Sequence, residues 1–111
     1  ANGDTPAVTL ASGLAAHQAL TQLSDCTLDI RWPNDILWRG RKLCGILARW
    51  EDTAVIVGLG VNLAQREFPP GLRTPGVSLW QITARDVPPE EVLSVLVPAM
   101  DDFMRMLAVE G

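Results

Sequence analysis

The hydrophobic and polar positions of this chain follow two different periods. Near the start, apolar residues recur at the three- and four-residue spacing of one helix face, which predicts a helix over residues 6–23. A second helical pattern, over residues 89–108, begins with two prolines and two glutamates, an order typical of a helix N-terminus. Pro98 lies inside this second pattern and predicts a kink or a break, because proline removes one helical hydrogen bond and crowds the preceding turn.

Between these segments the pattern changes to that of β-strands. Residues 28–32 alternate apolar and polar side chains, as a half-buried strand does. Residues 36–38 and 43–48 flank a turn in which Gly40 can supply a positive φ, so they predict a hairpin. Residues 54–61 are apolar and rich in β-branched side chains, which predicts a strand in the centre of a sheet.

The remaining segments define the fold class. Residues 64–76 contain three prolines and two glycines and predict an irregular loop, after which Ser78 is expected to begin a short helical turn. One helix, four strands in succession and a last helix predict an α+β fold, with a mixed or antiparallel sheet packed against helices. We expect a single domain over residues 1–111.

Composition narrows the classes of partner. The net charge is −4 without any basic run, which argues against nucleic acid, and no apolar stretch is long enough to cross a membrane. Cys26 and Cys44 have no CxxC spacing and no nearby histidine, so they indicate neither a metal site nor a disulfide and favour the cytoplasm. The nine basic residues are eight arginines and one lysine, Lys42, which draws attention to that position.

Candidate chemistry clusters around the predicted hairpin. Asn34 and Asp35 lie where one strand ends and the next begins, and Asp35 could hold Mg²⁺ or a sugar hydroxyl. Lys42 follows the turn as a compact charge suited to phosphate, and Gly45 would let a ligand approach the backbone. Asn62 ends the last strand, where its amide could read a purine edge. Each feature also has an ordinary structural explanation: an Asx turn, a solvated lysine or a bulge.

The order of three short motifs resembles the catalytic domain of biotin protein ligases, in the biotin/lipoate protein ligase superfamily. The motifs are Arg31-Trp32-Pro33-Asn34-Asp35-Ile36, Lys42-Leu43-Cys44-Gly45-Ile46-Leu47 and Gly58-Leu59-Gly60-Val61-Asn62. The resemblance covers nearly the whole chain and corresponds to the second half of that domain. It implies ATP-dependent biotin–[acetyl-CoA-carboxylase] ligase activity, with biotin, ATP and Mg²⁺ as ligands and a biotin carboxyl carrier protein as acceptor.

The resemblance also implies a role for each residue. Lys42 would be the catalytic lysine, contacting the biotin carboxylate and the α-phosphate. The other implied substrate-binding residues are Gly45 and Ile46 in the biotin pocket, Trp32 and Asn34 at the adenylate, Asp35 near ribose or Mg²⁺, and Asn62 near adenine.

Two departures from the family pattern leave alternatives open. Arg31 stands where the family usually has lysine, and the family's glycine- and arginine-rich adenylate loop does not occur in these 111 residues. A non-catalytic remnant that self-associates and binds nucleotide or biotin weakly is therefore the second hypothesis, and lipoate or octanoyl transfer is a third. Because a sheet edge left unpaired invites association, we expect a homodimer or a swapped assembly.

Overall fold

The computed structural model describes the backbone of residues 5–110 and the side chains of residues 6–106. Helices at the two ends of this range enclose four consecutive strands and one short helix. The elements are α1 (Thr5–Ser24), β1 (Asp29–Arg31), β2 (Asp35–Trp38), β3 (Arg41–Glu51), β4 (Ala54–Val61), α2 (Leu79–Thr83) and α3 (Pro89–Glu110). The predicted α+β fold is confirmed.

The four strands form one antiparallel sheet in the order β1-β2-β3-β4. The prediction that residues 54–61 are a central strand is wrong, since β4 lies at an edge of this sheet. Its residues alternate between half-buried and exposed, so only every second side chain packs towards the helices. The strand is apolar on both faces although only one face is packed. Because strands in the centre of a sheet are also apolar on both faces, the sequence pattern predicted a central position.

Helix α1 packs through its small residues. Ala11, Ala15 and Ala19 are buried, with Ser12 and Ala16 beside them, whereas Leu10 and Leu14 are each 37% exposed. Short side chains allow the helix backbone to approach the sheet and α3 closely. The small face predicted for this helix is therefore the packed face, with Leu20 also buried, whereas Leu10 and Leu14 lie at its exposed margin.

Helix α3 is not broken at Pro98. Proline leaves the carbonyl four residues earlier, on Ser94, without its helical partner, and both residues are exposed, so water can satisfy that group. Val92, Leu96 and Ala99 are buried on the opposite side and hold the helix against the core. None of the described helices combines the length and the apolarity that a membrane crossing requires.

Two turns follow their predicted chemistry. The hairpin between β2 and β3 turns at Arg39 (φ 51°) and Gly40 (φ 78°), two successive positive φ values that are typical of a tight hairpin turn. Ser78 caps α2: its side chain accepts from the Gln81 backbone while the Gln81 side chain accepts from the Ser78 backbone. The arginine at a positive φ was not predicted.

Candidate functional site

A row of four residues crosses the outer face of the sheet, on the side opposite the helices. Arg31 pairs with Asp35 between β1 and β2, Asp35 pairs with Gly45, and Gly45 pairs with Gly60. Residues paired in this way share one face of a sheet. The row therefore carries a cation, a carboxylate and then two positions without side chains, which leave the sheet surface open.

A β-bulge brings Lys42 to the same face. Ile36 pairs with Cys44 and Leu37 pairs with Lys42, so Leu43 is an extra residue in β3. Leu43 and Cys44 are consecutive yet both buried, at 0% and 1% exposure. The bulge reverses the alternation of β3, as bulges beside functional sites commonly do, and the Lys42 ammonium reaches Asp35 with an Nζ–Oδ1 distance of 3.2 Å.

Asp35 is the electrostatic centre of this cluster. One carboxylate oxygen contacts Lys42 and the other accepts a hydrogen bond from the Arg31 guanidinium. Burial by itself raises the pKa of Asp35, but the hydrogen bonds and charges of Arg31 and Lys42 outweigh that effect and hold the pKa below its usual value of 3.8. The residue is therefore ionised at neutral pH, and the three side chains carry a net charge of about +1.

Cys44, between Lys42 and Gly45 in sequence, does not contribute a nucleophile. Its side chain is buried, and burial raises the pKa of the thiol to about 12. A thiol in that environment stays protonated and unreactive at neutral pH.

Two cavities meet at Lys42. An open groove of about 490 Å³ lies over the glycine positions and is mostly apolar; its lining is Asn34, Lys42, Gly45, Ile46, Leu47, Gly58, Leu59 and Gly60. A second cavity of about 480 Å³ is cationic; its lining is Arg31, Lys42, Asn62, Phe68, Leu72, Arg73, Thr74 and Gly76. An apolar acid could lie in the first with its carboxylate at Lys42, and a phosphate could lie in the second.

The loop of residues 64–76 closes the cationic cavity because its last residues are bonded to β3. The Lys42 backbone donates to the Pro75 carbonyl at 2.7 Å and accepts from the Val77 amide at 2.9 Å. Asn62 Nδ2 donates to the carbonyls of Lys42 at 3.1 Å and Val77 at 3.2 Å. Its Oδ1 accepts from Gln65 at 3.2 Å, so the Asn62 amide is engaged in holding this loop.

The structure brings most of the predicted residues together. Asn34, Gly45 and Ile46 line the groove and Asn62 lines the cationic cavity, with Lys42 common to both. Ile46 is only 3% exposed, so it reaches the groove mainly through its backbone. Trp32 lies in the turn after β1, is 61% exposed, and lines neither cavity.

Sequence reasoning missed the contribution of the loop. Phe68, Leu72, Arg73 and Thr74 line the cationic cavity, and Thr74 accepts a hydrogen bond from Arg31 at 3.1 Å. Residues in an irregular, proline-rich segment have no periodicity from which their orientation could be predicted. The signal in the sequence was an arginine and a threonine, three and two residues before Gly76, which forms a bridge with Lys42.

Among residues 6–106, no three histidine, cysteine, aspartate or glutamate side chains form a group that could hold a metal. Asp35 is the acidic residue of the cluster, and both of its oxygens already contact cations. The described side chains therefore do not form a magnesium site by themselves.

The model of the Biotin/lipoate A/B protein ligase family matches residues 2–62, which include every strand and the three motifs. The chain belongs to this family. Two similar ligases are the bifunctional ligase/repressor BirA of Bacillus subtilis and the biotin–[acetyl-CoA-carboxylase] ligase of Paracoccus denitrificans. The first is 37% identical over 90 residues, covering 75% of this chain and 28% of that protein. The second is 41% identical over 93 residues, covering 76% and 38%.

Solved structures of biotin protein ligases share the fold. The apo enzyme from Aquifex aeolicus matches with a TM-score of 0.84 and 27% identity, over 93% of this chain and 47% of that one. The complex of the same ligase with biotin and ATP matches with a TM-score of 0.82 and 28% identity, over 90% and 43%. The chain thus spans less than half the length of each of these ligases.

Proposed function

We propose that this chain carries the lysine-centred part of a biotin–protein ligase site. In the reaction, a biotin carboxylate oxygen attacks the α-phosphorus of ATP, pyrophosphate leaves, and biotinyl-AMP forms. The amine of a lysine on a biotin carboxyl carrier protein then attacks the acyl carbon, AMP leaves, and the amine loses a proton. The observation that carries the proposal is the position of Lys42, the single lysine, where an apolar groove meets a cationic cavity.

In this proposal the two cavities hold the two substrates. The groove over Gly45 takes biotin, with Ile46 at its wall, and the cavity under the 64–76 loop takes the nucleotide. The carboxylate and the α-phosphate are both anionic and must approach each other, so a fixed cation at the junction lowers the barrier. The Lys42 ammonium is held at the junction by Asp35 before any substrate arrives.

The remaining predicted residues have supporting roles in the same proposal. Asn34 borders the groove, where it would shape the adenylate site. Trp32 lies outside both cavities, so its proposed contact with the adenylate rests on the motif alone. Asn62 lines the cavity proposed for the nucleotide, but its side-chain amide already forms hydrogen bonds within the protein. It would therefore support adenine binding indirectly, by fixing the loop of residues 64–76. Arg73 lines the same cavity as Arg31 and would supply a further cation for phosphate.

The second cavity offers the ATP phosphates the cations of Arg31, Lys42 and Arg73, whereas Mg²⁺ has no side-chain cage among the described residues. We therefore include Mg²⁺ only as the usual counter-ion of ATP phosphates, and we assign no step to it. Asp35 near ribose or Mg²⁺ stays a proposal from the motifs, and in the structure both of its carboxylate oxygens contact cations of the protein.

The proposal includes an assembly and a compartment. We propose that β4, which in the described range is paired on one side only and carries neither charge nor proline, joins a second copy in a homodimer or swapped assembly. The two cysteines are free, in keeping with a reducing, ATP-containing compartment such as the cytoplasm.

A second candidate is a non-catalytic remnant that folds, self-associates and binds biotin or nucleotide weakly. The observation that favours it is the apolar strand β4, which in the described range is paired on one side only and so suits self-association. Lipoate or octanoyl transfer is the third candidate, and a lipoate-bound LipL1 of P. falciparum shares the fold with a TM-score of 0.65 at 15% identity.

The first test is biotin-dependent exchange of pyrophosphate into ATP, with octanoate and lipoate as competing acids. We expect exchange with biotin and a loss on the order of 10²–10³-fold in Lys42→Ala, because a preorganised charge at the reacting phosphate is removed. Lys42→Arg should also be poor, since a planar guanidinium does not replace a point charge. Exchange that requires lipoate, or an absence of exchange with every acid, would overturn the proposal.

A further inference from the structure

Gly45 lies under the side chain of Lys42. A Cβ atom at position 45 would be 3.0 Å from Lys42 Cε and 3.1 Å from Lys42 Nζ. Contacts this short are rare around real Cβ atoms, so the end of the lysine side chain would have to move by a few tenths of an ångström. The Lys42 side chain therefore already occupies the space above Gly45, before any ligand binds.

The strand geometry explains why the lysine runs across this glycine. The bulge at Leu43 places Lys42 and Gly45 on one face of β3, and the partner of Gly45 on β2 is Asp35. To reach Asp35 at 3.2 Å, the lysine must extend over position 45. Any side chain there would occupy the path between the ammonium and its carboxylate.

We propose that Gly45 is a positioning residue, whose missing Cβ lets the Lys42 ammonium lie at the junction of the two cavities. This gives position 45 a role that acts through Lys42, distinct from the role of a pocket wall touched by biotin. The consequence for adenylate binding rests on the proposed function, whereas the position of the ammonium does not.

Gly60 is a matched control for the added methyl group. It is the cross-strand partner of Gly45 and lines the same groove, but a Cβ there would meet no atom within 4 Å. Gly60→Ala thus adds a methyl group to the same surface without touching the lysine. Comparing the two variants therefore distinguishes an effect of filling part of the groove from an effect of displacing the Lys42 ammonium.

Because the chain has one lysine, isotope labelling with ¹³C,¹⁵N-lysine gives signals from Lys42 alone. In the wild type we expect cross-relaxation between the Lys42 Hε and Gly45 Hα protons, and a Lys42 signal that shifts as Asp35 is titrated with acid. Gly45→Ala should reduce that shift and Gly60→Ala should keep it. An absence of the wild-type contact, or an unchanged titration response in Gly45→Ala, would overturn the proposal.

The second measurement is a double-mutant cycle on binding of a hydrolysis-resistant biotinyl-adenylate analogue. Gly45→Ala should weaken binding roughly fivefold or more in the wild type, but less than about twofold in Lys42→Ala, because the two changes remove the same interaction. Equal losses in both backgrounds would mean that Gly45 contacts the ligand directly, and would contradict the proposal. If the wild type binds no analogue, the proposed function fails, and the lysine signals still decide the role of Gly45.

Discussion

At the scale of single residues, the site depends on one carboxylate shared by two cations. Asp35 has both oxygens engaged, and its neighbours hold its pKa below 3.8. A carboxyl group whose pKa is lower in the folded than in the unfolded state stabilises the fold above its unfolded pKa. That contribution is lost as the pH falls through the folded value.

Asp35→Asn is therefore expected to destabilise the protein at neutral pH, by about 1–3 kcal/mol, because two cations lose their carboxylate. The difference in unfolding free energy between the wild type and this variant should begin to shrink below about pH 4, where the carboxyl of the unfolded chain takes up a proton. It should go on shrinking as the pH falls through the lower folded pKa of Asp35. Urea titrations between pH 7 and 3 would measure it. A difference that stays constant over that range would show that the charge of Asp35 does not stabilise the fold.

The structure gives Lys42 an ion-pair partner, Asp35, that its sequence position did not indicate. As an exposed hairpin lysine it would affect the unfolding free energy by no more than about 0.5 kcal/mol. The structure pairs it instead with the nearly buried Asp35, so we expect Lys42→Ala to cost about 1–2 kcal/mol. Arg49→Ala, which removes an exposed cation paired with Glu51 on the same strand, should stay within about 0.5 kcal/mol. Equal effects in urea titrations would argue against a structural role for Lys42.

At the scale of elements, the sequence predicted the type and order of the helices and strands better than the position of each strand in the sheet. The two long helices, the hairpin at Gly40 and the loop of residues 64–76 all occur where their patterns predicted. The edge position of β4 was not predictable. A strand that is apolar on both faces has the same sequence pattern whether one face or both faces are packed. The bulge at Leu43 was also invisible, since it depends on the pairing of β3 with β2.

The exposed apolar residues of β4 give the assembly proposal a direct test. Ile56 is 45% exposed and pairs with Arg49, so Ile56→Glu adds a charge that the neighbouring strand tolerates. We expect this variant to remain folded and to shift sedimentation equilibrium towards monomer. Val97→Glu, at a 57% exposed position on α3, should leave the association unchanged. A wild type that stays monomeric at high concentration would contradict the proposed assembly.

At the scale of the whole molecule, the site forms where the sheet, its bulge and the long loop meet. The motifs located the lysine, the carboxylate and the glycine, because these residues are close in sequence to a hairpin. The loop residues Phe68, Leu72, Arg73 and Thr74 could not be assigned in advance, since tertiary hydrogen bonds to Lys42 and Asn62 fix that loop. Residues of this chain line both cavities, which supports the proposal that it binds the adenylate around Lys42.

Calorimetric titration of the chain with a hydrolysis-resistant biotinyl-adenylate analogue that keeps the phosphate tests this claim most directly. The account predicts saturable binding that Lys42→Ala weakens roughly tenfold or more, which is about 1.4 kcal/mol or more, through loss of a charge-assisted contact to phosphate. Arg49→Ala, which removes a cation from the same strand outside both cavities, should leave the affinity unchanged. An analogue that fails to bind, or that binds Lys42→Ala as tightly as the wild type, would contradict a site built around Lys42.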